Sequence, residues 1–525
     1  MISLLRALCG SVLVLFLLSS IAVRAEDEPA SAKANSETAE KTTVEKESKP
    51  TAEHKDDHEH AGAHGAKGAA GAAAHPNLGK DLYVFTVLPF IALLGCIAIC
   101  PLFFSHWWEH NKNKAIIVAA LSVPLALYLI LGVDQAWIHD LFEKVKEYIS
   151  FMILLGALYI ISGGIYVKGS LNGTPLANTC ILALGAVIAS IIGTTGASVL
   201  LIRPLLRANR TRVNKAHIVV LFIFVVSNCG GLLTPLGDPP LFLGFLKGVP
   251  FEWTLRLWPQ WALVNFLLLA IFNVWDQIVF AKEEKERAGS QFEEVMKHEP
   301  IGIQGTLNFA FLAGIVATIY LSGRYSAPWG ISEAAMALLA LAAYFTTAKE
   351  NRENNKFTFA PIIEVAVLFI GIFITMAPAL QILNSWGKQE RDVLGIEFGM
   401  TEPWQFFWAS GALSSFLDNA PTYLTFAATA CGLKGVAVGD GPYLREFLNL
   451  PAASGAVQLL AAVSCGSVFM GANTYIGNGP NFMVKAIAEE NGVKMPSFFG
   501  YMAYSGMVLI PIFIVVTLIF FISWT

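Results

Sequence analysis

Asp238 stands in a segment that cannot form a continuous helix, although apolar residues flank the segment on both sides. Residues 227–242 contain three glycines, three prolines and one carboxylate, whereas residues 218–226 and 241–246 are apolar. An interrupted helix at membrane depth is tolerated only where protein or a wet cavity satisfies the free backbone groups. A carboxylate at that depth is costly and marks a candidate functional site. The segment therefore predicts half of an ion-binding site.

The same pattern recurs 240 residues later in the chain. Both copies read Thr-x-Leu/Ile-Gly-Asp/Asn-x-Pro-x-Phe, and Asp238 corresponds to Asn478. The identical pairs are Ser227 and Ser467, Gly231 and Gly471, Thr234 and Thr474, Gly237 and Gly477, Pro240 and Pro480, and Phe242 and Phe482. Each copy follows three predicted spans and an apolar hairpin and precedes a final span. This order predicts an internal repeat.

Two further interruptions lie inside the apolar hairpins. Residues 193–198 interrupt the hairpin over 176–206, and residues 417–422 interrupt the hairpin over 404–430. A basic cluster begins near the end of the first hairpin and predicts a cytoplasmic loop by the positive-inside rule: Arg203, Arg207, Arg210, Arg212 and Lys215. Because the preceding span also ends inside, we expect the first hairpin to be re-entrant. The alternative, a continuous span, places these five positive charges outside.

The predicted topology opens the first hairpin to the cytoplasm and the second to the outside, so the repeats are inverted. Inverted repeats with paired discontinuous helices indicate a secondary transporter whose site lies near the midplane. Half-helix ends, backbone carbonyls and hydroxyls can replace the hydration of an ion there. The expected ion-binding residues are Thr194, Thr195, Ser198, Ser227, Asn228, Thr234 and Asp238 on one side, and Asp418, Asn419, Thr422, Asn473, Thr474 and Asn478 on the other.

The breaks contain two carboxylates, Asp238 and Asp418, and no lysine or arginine placed to neutralise them. Two negative charges in a low-dielectric cavity attract a cation or a proton and repel a carboxylate. Oxygen ligands suit a hard ion such as Na⁺, and a desolvated carboxylate can exchange a proton for a metal ion near neutral pH. The alternative is that both acids only cap half-helices. Glu364 is a candidate proton relay or a solvent-facing helix-end residue, and no resident cofactor or metal is expected beyond the transported Na⁺ and H⁺.

Composition sets the class of protein. The chain has 525 residues, of which 55% are hydrophobic and 14% are charged, and its mean hydropathy is +0.57. These values predict an all-α polytopic membrane protein surrounded by the lipid bilayer. We expect two inverted repeats, each with three spans, a re-entrant hairpin, a broken span and a final span. A net charge of −4, without a basic stripe, argues against a nucleic-acid partner.

The domain organisation follows from the same patterns. Residues 1–25 have the pattern of a signal peptide or, alternatively, of an uncleaved first helix. Residues 26–80 are rich in His, Ala, Glu and Lys and predict a disordered periplasmic segment. Transporter repeat 1 covers 81–281, a cytoplasmic linker covers 282–301 and repeat 2 covers 302–525. Spans are expected over 82–104, 115–133, 148–167, 217–247, 257–280, 302–321, 331–347, 359–382, 452–487 and 498–524.

Residues 193–210, 227–253 and 415–482 resemble the ion transporter superfamily, and most closely its bacterial NhaD-type sodium/proton antiporters and the related arsenite permeases, often labelled citrate-transporter-like. The resemblance extends from residue 148 to the C-terminus. It implies a scaffold part and a transport part in each repeat, a homodimer and elevator-like movement of the hairpins. Dicarboxylate carriers of the superfamily have Ser-Asn-Thr hairpin tips, whereas these tips read Thr-Thr-Gly and Asp-Asn-Ala, which weakens a citrate or succinate interpretation.

The leading hypothesis is a sodium/proton antiporter of the bacterial inner membrane that works by alternating access. The alternatives are an arsenite or anion permease, in which Cys229 offers a soft ligand, and a sodium-coupled di- or tricarboxylate transporter of the citrate type. An intramembrane protease needs two aspartates that share a proton at close range. Here each aspartate has its own break with hydroxyl and amide neighbours, so we do not expect an enzyme.

Overall fold

The computed structural model describes residues 82–169, 173–286, 302–325, 327–439 and 441–522. The predictions for the signal peptide over 1–25 and for the disordered segment over 26–80 lie outside these residues. Most of the predicted linker over 282–301 also lies outside them.

The first half of the chain is built from nine helices within the described residues, with one short strand. The helices are α1 (Leu88–Phe103), α2 (Ser105–Trp108), α3 (Asn111–Tyr128), α4 (Ala136–Gly163), α5 (Pro175–Ile192), α6 (Thr194–Ala208), α7 (Ala216–Val225), α8 (Pro239–Leu246) and α9 (Trp258–Glu286), and the strand is β1 (Tyr166–Lys168). The 3₁₀ turns are Val84–Val87, Cys229–Leu233 and Phe251–Leu257, and a π turn covers Leu129–Val133.

The second half begins with strand β2 (Gly302–Gln304) and continues as helices. They are α10 (Leu307–Tyr325), α11 (Ile331–Thr346), α12 (Lys349–Asn354), α13 (Ala360–Gly387), α14 (Pro403–Ser414), α15 (Asn419–Leu433), α16 (Tyr443–Leu448), α17 (Ala456–Met470), α18 (Gly479–Glu490) and α19 (Phe498–Val516). The 3₁₀ turns Ala452–Ser454 and Gly471–Asn473 flank α17, and the π turn Thr517–Phe521 extends α19.

The fold class predicted from composition is confirmed. Ten helical segments among the described residues are long and apolar enough to cross a membrane, and α11 is a shorter apolar helix. The protein is therefore an all-α multi-pass membrane protein. The inverted orientation of the two repeats stays a prediction, as do the domain boundaries.

The two broken helices occupy the centre of the molecule. Every residue from Ile218 to Val226 is fully buried, and most of α17 is buried as well. Because these residues are buried within the protein, other parts of the chain surround both helices. The breaks that follow α7 and α17 are consequently enclosed by protein, which is where irregular backbone at membrane depth can be satisfied.

The hairpin breaks are narrower than predicted. Gly193 has φ 84°, and α6 begins at the next residue, so Thr194, Thr195 and Ser198 are helical instead of lying in a loop. In the second hairpin α15 begins at Asn419, so the break is confined to residues 415–418. A helix can begin again immediately after one residue with extended or positive-φ backbone. Amino-acid composition does not show which residue that is.

Several span boundaries also differ from the predictions. Helix α4 begins at Ala136 instead of 148, because its first turns contain charged helix formers that an apolar window excludes. The chain after Gly163 forms β1, which pairs antiparallel with β2, so Gly302 is in a strand and the span begins at Leu307. Helix α9 continues to Glu286, beyond the predicted start of the linker.

Gly466 allows α17 to pack closely against α14. A methyl group at this position would overlap Ser410 Oγ and the carbonyl oxygen of Phe407. Because overpacking of a closed interface costs about 1–3 kcal/mol, we expect Gly466→Ala to lower the thermal unfolding temperature of the purified protein. Gly506→Ala in α19 is the control, since nothing lies within 4 Å of an added methyl group there. Equal unfolding temperatures for the two variants would contradict the close packing.

Candidate ion-binding site

The carboxylate of Asp238 is the centre of the hydrogen-bond network at the breaks. Asp238 has extended backbone and precedes Pro239, the first residue of α8, but its side chain does not cap that helix. It accepts hydrogen bonds from Thr194 Oγ1 at 2.9 Å, from Asn419 Nδ2 at 2.7 Å and from Asn478 Nδ2 at 3.3 Å. The residue is only 1% exposed. The capping alternative is therefore wrong for Asp238.

These three donors come from the other three breaks. Thr194 begins α6 in the first hairpin, Asn419 begins α15 in the second hairpin, and Asn478 immediately precedes α18. One buried carboxylate thus links both hairpin tips and both broken helices. The structure brings together the segments that the sequence placed on two sides of one site, and the ion-binding role of these residues stays a prediction.

Asp238 and Asn478 are equivalent positions of the repeat and contact each other directly. The amide of Asn478 donates to the carboxylate of Asp238 across the middle of the site. Two carboxylates at this distance would repel each other in a low-dielectric environment. Because the second repeat has asparagine at this position instead of aspartate, the two repeats can be joined here by a hydrogen bond.

A chain of asparagine amides continues from this contact. Asn478 Nδ2 also lies 3.1 Å from the carbonyl oxygen of Ser227 and 3.2 Å from Asn228 Oδ1. Asn228 Nδ2 in turn donates to Asn481 Oδ1 at 2.7 Å. The three asparagine side chains are buried. Asn228 and Asn478 thus connect the two broken helices to each other.

Asn481 is a site residue that the sequence analysis missed. Its amide donates to the carbonyl oxygens of Gly471 and Thr474, at 2.8 and 2.9 Å, and so satisfies the backbone of the second break. The signal for it was present, because Leu241 occupies the equivalent position in the first repeat. A polar residue in one repeat at a position that is apolar in the other indicates a hydrogen bond that only one repeat makes.

The two predicted threonines fasten each broken helix to its hairpin in the same way. Thr234 Oγ1 donates to the carbonyl oxygen of Ser190, and Thr474 Oγ1 donates to that of Ser415. Ser190 and Ser415 stand at equivalent places, four residues before Thr194 and Asn419. The matched contacts support the internal repeat and extend it to the hairpins, where the sequences themselves do not match.

A matched pair of aromatic residues supports the breaks from the last helix of each repeat. Trp261 Nε1 donates to the carbonyl oxygen of Gly230 at 3.0 Å, and the Tyr501 hydroxyl donates to that of Ala472 at 2.9 Å. Positions 261 and 501 are 240 residues apart, so the repeat spacing could have identified them. Both satisfy backbone carbonyls that the interrupted helices leave free.

Glycines at equivalent positions let the hairpin tips approach the breaks. A methyl group on Gly231 would lie 2.6 Å from the Thr194 methyl carbon, and a methyl group on Gly471 would overlap the Asn419 amide. Glycine is needed at both positions because of this close approach. These glycines therefore bring Thr194 and Asn419 within reach of Asp238.

Asp418 has a different environment from Asp238. Its carboxylate accepts a hydrogen bond from the backbone nitrogen of Ala420 at 3.1 Å and caps α15, and its carbonyl oxygen accepts from Thr422 Oγ1 at 3.0 Å. The residue is half-buried, and its charge is close enough to interact with that of Asp238. Asp418 therefore caps α15 and also places a second negative charge beside the site, and its ion-binding role stays a prediction.

The remaining predicted residues lie around this network. Ser198 Oγ and Ser227 Oγ are 2.8 Å apart, and Asn473 Nδ2 donates to Ser415 Oγ at 2.9 Å. Asn473 Oδ1 is buried and has no hydrogen-bond partner among the described residues. Thr195 borders a cavity of about 30 Å³ next to Asp238. A cavity of this size holds about one or two water molecules or a small ion.

Glu364, the candidate proton relay, belongs to a different contact. Its carboxylate accepts from Lys114 Nζ at 2.7 Å, and its side chain is 45% exposed, whereas that of Lys114 is buried. Glu364 therefore joins α13 to α3 and makes no hydrogen bond to Asp238 within the described residues. The relay role stays a prediction.

Arg212, one of the five residues in the predicted cytoplasmic cluster, is buried in an ionic network. Its guanidinium group lies 2.8 Å from the carboxylates of both Asp276 and Glu283 on α9, and His217 Nε2 lies 2.9 Å from Asp276. The network joins the segment after the first hairpin to the last helix of repeat 1. Arg212 therefore contributes to the positive charge that predicts a cytoplasmic loop and also forms buried ion pairs.

The contribution of the Thr194 hydroxyl to stability can be measured by comparison with the hydroxyl of Thr195. Thr194→Val removes one of three donors to a buried carboxylate, so we expect a loss of about 1–3 kcal/mol in the free energy of unfolding. Thr195→Val is the control, because the Thr195 side chain borders the cavity but makes no hydrogen bond to Asp238 among the described residues. The measurement is thermal or denaturant unfolding of both purified variants at neutral pH. Equal stability would show that the Thr194 contact contributes little.

Comparison with known proteins defines the family. No curated protein sequence matches the chain significantly. A family model described as "Putative citrate transport" matches residues 79–521, which include every element of the site. This family is part of the wider ion transporter superfamily, in agreement with the resemblance of the hairpins and breaks. The chain therefore belongs to this citrate-transport family and is a multi-pass membrane transporter.

Proposed function

We propose that the protein exchanges Na⁺ for H⁺ across the membrane and that Asp238 is the group for which the two ions compete. The observation that carries this proposal is a fully buried carboxylate with only neutral hydrogen-bond partners. Within the described residues Asp238 has no ion pair with a lysine or an arginine. Asp418, at the second hairpin tip, is close enough to interact with Asp238 and has the same sign.

A buried carboxylate without a positive partner is expensive even when it is hydrogen-bonded. Binding one proton or one sodium ion neutralises it. Because both ions need the same carboxylate, occupancy by one displaces the other. This competition is the minimum requirement for exchange, and the charge of Asp418 increases the preference of the cavity for either cation.

Candidate oxygen ligands for Na⁺ are present in the four breaks. Asn473 Oδ1 is a buried acceptor without a hydrogen-bond partner among the described residues, and the hydroxyls of Ser198 and Ser227 can each orient a lone pair toward an ion. The amides of Asn419 and Asn478 donate to Asp238 in the structure, and a half-turn of either amide presents its oxygen instead. These ligands are hard donors of the kind that alkali and alkaline-earth ions prefer.

Transport of a citrate-type carboxylate is the second candidate, and the family match favours it. Asp238 and Asp418 would repel such a substrate unless cations accompany it. The site therefore favours coupled entry of cation and carboxylate. The arsenite alternative has less support, because Cys229 is the only cysteine in the four breaks and offers a single soft ligand. The homodimer and the bacterial inner-membrane location stay predictions.

Sodium-dependent proton movement in everted membrane vesicles distinguishes these candidates. We expect added Na⁺ to dissipate a preformed proton gradient in vesicles that contain the wild-type protein. Asp238→Asn should abolish this response. Asp418→Asn should weaken the apparent affinity for Na⁺ about tenfold by removing one charge, while asparagine preserves the helix cap. Glu353→Gln, which removes an exposed carboxylate on α12, is the control for charge alone.

Uptake of labelled citrate, with and without Na⁺, is measured on the same vesicles. If Na⁺ leaves the proton gradient intact while citrate accumulates, the carboxylate candidate replaces the antiporter. If Asp238→Asn responds to Na⁺ like the wild type, the assignment of the site is wrong.

A further inference from the structure

Phe242 separates two cavities of the protein. The inner cavity, next to Asp238 and Thr195, is about 30 Å³ in volume, and Phe242 forms part of its wall. A vestibule of about 380 Å³ lies on the other side of Phe242 and is bordered by charged residues that include Glu147 and Lys247. Because the same side chain borders both spaces, it stands on the path between the vestibule and the carboxylate.

The position of Phe242 follows from the break. Helix α8 begins one residue after Asp238, so Phe242 lies one helical turn beyond the carboxylate. Its side chain is 3% exposed and stacks on Phe245, with ring centroids 6.0 Å apart. Phe151 and Leu158 of α4 form the opposite wall of the inner cavity. An apolar ring in this position excludes water and ions from the site.

An ionic contact holds α8 in this closed arrangement. Lys247, just after the end of α8, lies 2.5 Å from the carboxylate of Glu147 on α4, and Lys144 lies 3.1 Å from the same oxygen. Lys247 is itself buried. Movement of α8 away from α4, which would withdraw Phe242, requires this contact to break.

Phe482, the repeat counterpart of Phe242, has the opposite environment. It is 54% exposed, and Gly479, three residues earlier on α18, is exposed as well. The same face carries the ion pair between Lys485 and Glu489, at 2.8 Å. An ion pair on this face indicates water instead of lipid. Since Gly479 adjoins Asn478, this aqueous face extends to the edge of the site.

We propose that Phe242 and Phe482 are paired gates of the transport path, one in each repeat. In the structure the Phe242 gate is closed and the Phe482 gate is open. By the predicted topology, α8 faces outward and α18 faces the cytoplasm, so this is an inward-open state. The inference rests on the proposed transport by alternating access, and it is independent of which solute is carried.

Cysteine labelling from each side of the membrane tests the gates without a transport assay. A membrane-impermeant thiol reagent is applied to right-side-out and to everted vesicles, and labelling above that of the parent protein is measured. Gly479→Cys reports on the open side, since a side chain there meets nothing within 4 Å. Thr195→Cys reports on the inner cavity. We expect Gly479→Cys to react in everted vesicles only.

In right-side-out vesicles Thr195→Cys should react slowly, and adding Phe242→Ala should accelerate the reaction at least about tenfold. Thr195→Cys combined with Phe242→Leu should still be labelled slowly, because leucine keeps an apolar side chain in the path. Thr195→Cys combined with Phe482→Ala should be labelled from the outside at the same rate as Thr195→Cys alone. If the alanine variant is not monodisperse, Phe242→Val takes its place and should accelerate labelling in the same direction.

Two results would overturn the gate proposal. One is a labelling rate of Thr195→Cys in right-side-out vesicles that changes less than about twofold when Phe242→Ala or Phe242→Val is added and the protein remains folded. The other is labelling of Gly479→Cys from the outside as fast as from the cytoplasmic side. If the labelling rates are as expected but Na⁺ does not dissipate the proton gradient, the gate proposal stands and only the proposed exchange of Na⁺ for H⁺ is wrong.

Discussion

The structure depends on one constraint, which is that a carboxylate and several interrupted helices at membrane depth must be satisfied by protein. Asp238 meets this constraint by accepting hydrogen bonds from both hairpin tips and from the opposite broken helix. Any displacement of one break therefore changes the environment of the charge. This dependence is what couples the occupancy of the site to the arrangement of the helices around it, and it is the physical basis of transport by such a site.

The repeat is symmetric in its scaffold and asymmetric in its chemistry. Thr234 and Thr474 fasten the hairpins in the same way, and Trp261 and Tyr501 each satisfy a backbone carbonyl of the neighbouring break. At the centre, however, equivalent residues contact each other, and two carboxylates there would be unfavourable. Asparagine at 478 resolves this conflict. The same division between scaffold and chemistry extends to the phenylalanines one turn beyond, which share a position but differ in burial.

The spacing of 240 residues was the most informative feature of the sequence. It predicted which segments meet, because irregular backbone in a membrane has to be enclosed and two breaks can enclose each other. It did not predict the limits of the breaks, since Gly193 and Asp418 end them through backbone conformation that composition does not encode. The division of roles between the two aspartates also needed coordinates. Whether an aspartate caps its own helix or accepts from distant donors depends on side-chain direction, which the sequence leaves open.

The most direct test of the central claim is the number of protons released when Na⁺ binds to the purified protein. Titration calorimetry in two buffers of different ionisation enthalpy measures this number without any transport step. Competition for Asp238 predicts release of about one proton per sodium ion near neutral pH, and no sodium-linked release from Asp238→Asn. Sodium binding without proton release, or equal release from Asp238→Asn, would contradict the assignment of this carboxylate as the shared site.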